Sequence, residues 1–229
     1  MKKRLAILIA LMIIMTTVMG CLEPREAVAA RVDPKTLSEL GWVQVGDVKK
    51  DTIEMEWAVT LTINLATLSY KDEELESRIK QGISEQISGI TSMLMTVRLA
   101  LPVGLDFLAN QLIDSAFDLI EPQMISTVQD MGVSDFHRTG DTSFKNVHGE
   151  TVKARVYEGT LNYDGSIRVK GVLAIWGSDG SIVATAGFVP YEDLTYTTEI
   201  EGKQVTKTFL KIDGDAEFDE VITLMQNVA

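Results

Sequence analysis

This 229-residue chain has one cysteine and two histidines, and each shortage removes a class of chemistry, while its five prolines beside 45% apolar residues argue against disorder. A lone thiol forms no intramolecular disulfide, iron–sulfur cluster or thiolate metal site, so stability has to come from packing. Two histidines leave little for a triad or a histidine metal site, and His137 and His148 fall where surface histidines are common. Cationic residues are also short, at 21 Lys and Arg against 33 Asp and Glu. The net charge of −12 argues against nucleic acid as a partner and against electrostatic docking on anionic lipid, because both need basic patches. No HExxH, GxSxG or Gly-rich phosphate loop occurs, and GSDGS at 177–181 reads as a hairpin.

What the chain does have is an N-terminal address. Lys2, Lys3 and Arg4 precede an apolar run from Leu5 to about Val18, and the small residue Gly20 follows. That run is short of the ~20 residues a spanning helix needs, so it reads as a signal segment that is removed. Val18-Met19-Gly20-Cys21 resembles the lipobox of prokaryotic lipoproteins, which implies diacylglyceryl modification of the Cys21 thiol and cleavage between Gly20 and Cys21. The alternatives are an ordinary signal with a chance cysteine, or an uncleaved anchor helix. Two acyl chains hold a protein to a bilayer stably where one is marginal. The expected organisation is a signal peptide over 1–20, a lipidated cysteine and tether over 21–33, and one α+β domain over 34–229. Removal of the signal makes the net charge −15.

In the domain, Pro34 to Gly41 predicts a short helix capped by Asp33. Trp42 to Val48 and Thr52 to Leu68 read as two strands. From Asp72 the apolar residues Leu75, Ile79, Ile83, Ile87, Ile90 and Leu94 form one helical stripe behind Glu73, Glu74 and Glu76. Residues 92–101 fit either a continuation of that helix or a buried strand. A helix over Leu105, Leu108, Leu112, Phe117 and Ile120 is expected to end near Pro122, followed by a shorter one to Met131, so about 72–131 reads as a helical segment. The second half changes to strands separated by His148-Gly149, Asp164-Gly165, Asp179-Gly180 and Glu201-Gly202. Strands are expected near 141–147, 150–162, 167–176, 181–189, 193–200 and 203–212, as an antiparallel meander. Asp215 to Val228 closes the chain as an amphipathic helix on the sheet.

SELGWVQVGD, EMEWAVTLTINLATLSYKD, FKNVHGETVKARVYEGTL, GVLAIWGSDGSIVATAGFVP and EFDEVITLMQNV, following a lipobox cysteine, resemble an uncharacterised family of archaeal lipoproteins. Their layout resembles the PsbP/Mog1-like fold, which implies an antiparallel sheet with helices packed on it and brings no activity or catalytic residues. The element order also resembles the helix-grip fold, which encloses apolar ligands, although the final helix is short for it.

Other motifs carry little chemistry. Ser77-Arg78-Ile79-Lys80 matches S-x-x-K but lies in an amphipathic helix without a later Lys-Thr-Gly strand. Asp213, Asp215 and Glu217 begin like a calcium loop, yet Phe218 and Leu224 stand where glycine and glutamate are needed, so these acids read as a helix start. Trp42, Trp57 and Trp176 either line a binding face or, as is commoner for strand tryptophans, fill the core.

The expected protein is a lipid-anchored, extracytoplasmic binding or accessory module of the cell envelope, more consistent with a non-enzyme. It has no catalytic, metal or cofactor-binding residues to name. Its partners are the membrane, through Cys21, and an envelope protein or small ligand. The alternative is a carrier or sensor of an apolar ligand, which requires a closed cavity of hundreds of Å³ between sheet and helices. A hydrolase would instead gather acids or histidine in a cleft with shifted pKa values.

Overall fold

The computed structural model describes residues 24–56, 60–82, 91–162, 166–200 and 203–229. Helix α1 (Pro34–Glu39) starts as its sequence dictates: the Asp33 carboxylate accepts the Thr36 N–H at 3.1 Å, and Gly41 leaves the helix at φ +72°. Strands β1 (Trp42–Glu56) and β2 (Thr60–Asp72) pair antiparallel from Trp42↔Asp72 to Glu56↔Thr60. The two strands expected at 42–48 and 52–68 are therefore divided differently. The first break is only a register shift between Val45 and Lys49, beside Gly46 at φ +70°, and the chain reverses between Glu56 and Thr60. No glycine or proline marks that reversal, so composition carries strand character straight through it.

Helix α2 (Glu73–Gly82) follows, with the Leu75 N–H held by the Asp72 carboxylate at 2.9 Å. Ile83, Ile87 and Ile90 of the expected stripe lie outside the described residues, and Leu94 belongs to strand β3 (Met93–Ala100). The helical period fails at Leu94 because β3 carries apolar residues on both faces, the buried-strand alternative for 92–101, and periodicity cannot separate such a strand from a helix. A 3₁₀ turn (Asp106–Leu112) leads into α3 (Ile113–Asp130), which runs through Pro122 instead of ending there. Proline costs the helix one hydrogen bond. Tertiary contacts offset that loss, since Glu121 is gripped by the Tyr157 hydroxyl at 2.6 Å and by the Arg155 guanidinium.

Strands β4 (Val133–Lys145), β5 (Thr151–Asn162), β6 (Ser166–Ser178) and β7 (Ser181–Pro190) form the expected meander, with β4 starting earlier than residue 141. They join the first three strands in one seven-stranded antiparallel sheet of order β1-β2-β3-β7-β6-β5-β4. The remaining meander strands, β8 (Leu194–Ile200) and β9 (Lys203–Leu210), form a separate two-stranded sheet. The Asp164-Gly165 and Glu201-Gly202 pairs lie outside the described residues, between strands that pair antiparallel. Helix α4 (Gly214–Gln226) ends the fold, with Asp213 as its cap.

In the middle of the large sheet both faces are buried. One face carries Leu99, Leu173, Ile175, Ile182 and Ala184 against the 3₁₀ turn and α3. The other carries Leu68, Leu94, Val172, Ala174 and Val183 against α4 and the N-terminal segment. This explains the apolar run at 171–176, where alternation would be expected if one face met water. Gly187 lets α4 approach, because a Cβ there would stand 2.2 Å from the Val221 side chain.

Residues 24–33 are not a free tether. Ala27, Ala30 and Val32 are buried, and Arg31 exchanges two backbone hydrogen bonds with Ala229, both at 2.9 Å. Thr96 donates to the Ala30 carbonyl at 2.6 Å, and the Tyr70 hydroxyl meets the Val32 N–H at 3.3 Å. Small side chains let this segment lie flat on the sheet, and its burial is invisible to periodicity because it has no regular structure.

Thr185, fully buried on the same face, has no hydrogen-bond partner for its hydroxyl among the described residues. Thr185→Val removes an unmet polar group with little change of shape. It is expected to raise the unfolding free energy by about 1 kcal/mol in a denaturant titration.

Candidate functional site

The sheet face under α3 is only partly covered. Helix α3 packs on β4, β6 and β7, while β1, β2 and β3 continue the face beyond its edge. A cavity of about 410 Å³ lies at this step. Its floor includes Ile53, Leu65, Val97 and Ala186, and its roof Leu119, Ile120 and Val128. Phe136 closes one side and is seated by missing side chains, since a Cβ on Gly171 would stand 2.6 Å from its ring. Met93, Met95, Met124 and Met131 also line the cavity, and their flexible thioethers suit a wall that adapts to its contents.

Polar groups are few. Thr67 and Ser69 on β2 face the cavity without a side-chain hydrogen bond among the described residues, and Gln123 and Thr127 stand at its α3 edge. The Thr127 hydroxyl is occupied by the Gln123 carbonyl at 2.8 Å. None of the described lining residues is charged. The arrangement can surround an apolar body and offer neutral hydrogen bonds to one polar group.

A second constellation brings together Asp72, Glu217 and Glu220, with carboxylate oxygens within 4.8 Å of one another. Burial raises the Glu217 carboxyl to about 7, and the negative charges of Asp72 and Glu220 push the same way. Burial also raises Asp72 and Glu220. Each acid has a structural partner. Asp72 caps α2, Glu217 accepts from the Ser92 hydroxyl at 3.0 Å, and Glu220 accepts from Trp42 Nε1 at 3.3 Å. Arg78 stands 3.9 Å from Glu217. Asp72 and Glu217 are almost inaccessible to solvent, so a substrate cannot reach the pair. The cluster joins α2, α4, β1 and the lead into β3, which is a structural task.

A third group, Glu121 with Arg155 and Tyr157, links α3 to β5. Burial and the Glu121 carboxylate push the Tyr157 phenol upward, and Arg155 lies 4.0 Å over the Phe117 ring.

The residues singled out in the sequence are mostly dispersed. Gly20, Cys21 and Trp57 lie outside the described residues. Trp42 and Trp176 are core. His137, in β4, meets the Asp135 carbonyl at 2.6 Å, and His148 sits in the turn after β4; both are exposed. Ser77 has no use of Lys80, whose ammonium pairs with Glu76 at 2.7 Å. Asp213 is a helix cap and Asp215 accepts from the Tyr191 hydroxyl, but Glu217 also enters the buried cluster, which spacing alone did not disclose. The cavity too was missed residue by residue; the closest signal was Met93 and Met95 on the same face of a strand as Val97.

A family model described as "Domain of unknown function (DUF6517)" matches residues 29–229. The chain belongs to this family. The DUF6517 match begins inside the packed N-terminal segment and includes Ala30 and Val32, in keeping with that segment being part of the domain. No curated protein and no solved structure matches the chain.

The Glu217 shift gives a pH dependence with a definite sign. A carboxyl raised in the folded state from 4.5 to about 7 stabilises fully below pH 4.5, and that contribution is lost as pH rises through about 7. Glu217→Gln keeps a partner for Ser92 and cannot ionise. Relative to this variant, the wild type is expected to lose on the order of 2 kcal/mol of unfolding free energy between pH 4.5 and 7. Parallel slopes for the two proteins in urea titrations across that range would refute the assignment.

Proposed function

We propose that this chain is a lipid-anchored, extracytoplasmic protein of the cell envelope that holds an uncharged apolar ligand between α3 and the sheet, as a carrier or sensor. The observation that carries the ligand reading is the cavity of about 410 Å³ with methionine-rich walls and no charged lining residue among those described. An ionic head group placed there would lose hydration without gaining a counter-charge, at a cost of several kcal/mol. A hydroxyl or carbonyl could use Thr67, Ser69 or Gln123. Anchoring rests on the lipobox-like Val18-Met19-Gly20-Cys21, and the resemblance to archaeal lipoproteins supports the same reading. The finer architecture is read as PsbP/Mog1-like: helices lie on both sheet faces, and α4 packs on the face opposite the cavity, where a helix-grip arrangement would put its final helix over the ligand.

Displacement of an apolar fluorescent probe tests the ligand. Hexadecanol is expected to compete at least about tenfold more tightly than hexadecanoate at neutral pH. Ala186→Trp, which fills the floor, is expected to abolish probe binding while the protein still melts cooperatively. Tighter binding of the carboxylate would contradict the uncharged class, and binding unaffected by Ala186→Trp would contradict the site. For the anchor, Cys21→Ser is expected to move the protein from the membrane to the soluble fraction or leave it unprocessed; unchanged lipid labelling would contradict Cys21 as the acceptor.

A further inference from the structure

The docked N-terminal segment fixes where an anchor on Cys21 would meet the domain. Only Leu22, Glu23 and Pro24 separate Cys21 from Arg25, a reach of at most about 14 Å for a fully extended chain. Arg25 is held firmly. Its guanidinium pairs with Asp106 at 2.8 Å and reaches the Asp179 carbonyl at 3.5 Å, and its own carbonyl accepts from Asn64 at 3.0 Å. These partners lie at one end of the large sheet, where the β6–β7 turn, the loop after β3 and the β4–β5 turn come together. The Leu101 N–H bonds the Gly180 carbonyl at 3.2 Å, and Asp106, His148 and Gly180 line one shallow cleft.

The loops at this end expose apolar side chains that have no role in the core. Phe107 is 69% exposed, Val103 52% and Val147 46%. Phe107 follows the residue that pairs with Arg25, Val103 lies in the loop leading to it, and Val147 precedes His148. The surroundings mix Arg25 with Asp106, Asp179 and Glu150, so the end has no excess of positive charge to attract anionic lipid.

Resting on the lipid-anchor reading of Cys21, we propose that this end of the sheet is a bilayer-contact surface, with Phe107 and Val103 entering the interfacial region beside the acyl anchor. The anchor supplies the attachment, and the apolar side chains fix the orientation. The far end of the sheet, where α3 runs into β4 at Asp130, then faces away from the membrane.

The test uses the lipidated protein in phosphatidylcholine vesicles containing acyl-chain spin labels. With Cys21 occupied by lipid, Phe107→Cys, Val103→Cys or Asp130→Cys supplies the sole thiol for a nitrobenzoxadiazole label, and all three positions are exposed. Spin-labelled lipid is expected to quench the label at 107 and 103 by about half or more, and at 130 by less than about a tenth, since interfacial side chains sit within several ångströms of the acyl boundary. Weak quenching at 107 and 103 in protein that floats with the vesicles would overturn the surface while leaving the anchor intact. Protein that does not float would overturn the anchor and, with it, the surface.

Discussion

Most of this structure follows from one constraint: the middle strands of the sheet, β6 and β7, have no face turned to water. Strands β6 and β7 are apolar on both sides, so each face needs its own cover. Helix α4 and the N-terminal segment cover one, and α3 with its 3₁₀ lead-in covers the other. The first cover is close, helped by Gly187 and a run of alanines. The second stops short of β1, β2 and β3, and the cavity occupies the difference.

The N-terminal segment links the two functional readings. It belongs to the core of one sheet face through Ala30 and Val32, and it leads within a few residues to the cysteine that resembles a lipidation site. If Cys21 carries the proposed anchor, a domain attached so closely has little freedom to tumble at a membrane. The methionine-lined cavity lies on the opposite sheet face, so in the proposed reading the N-terminal segment and the ligand pack on different faces of the same sheet.

Much of the architecture was legible in the chain. The Asp33 cap, the Asp179-Gly180 turn, the meander β4–β7 and the final helix were all readable, because turn and cap residues act locally. The failures were nonlocal. β3 carried apolar residues on both faces, which left helix and buried strand open for 92–101, and α3 crossed Pro122 because Tyr157 and Arg155 hold Glu121 from another strand. Residues 24–33 looked like a tether because their burial depends on Thr96, Tyr70 and Ala229, far away in sequence. The Asp72, Glu217 and Glu220 cluster likewise exists only once α2 and α4 are adjacent. A cavity is a mismatch between layers, and no single residue announces it.

Native mass spectrometry of the protein released from membranes in mild detergent tests the central claim most directly. The account predicts a second mass above that of the lipidated chain, caused by a noncovalent ligand that is uncharged after organic extraction and is lost in Ala186→Trp. A wild-type spectrum identical to that of Ala186→Trp, with no adduct in either, would contradict it.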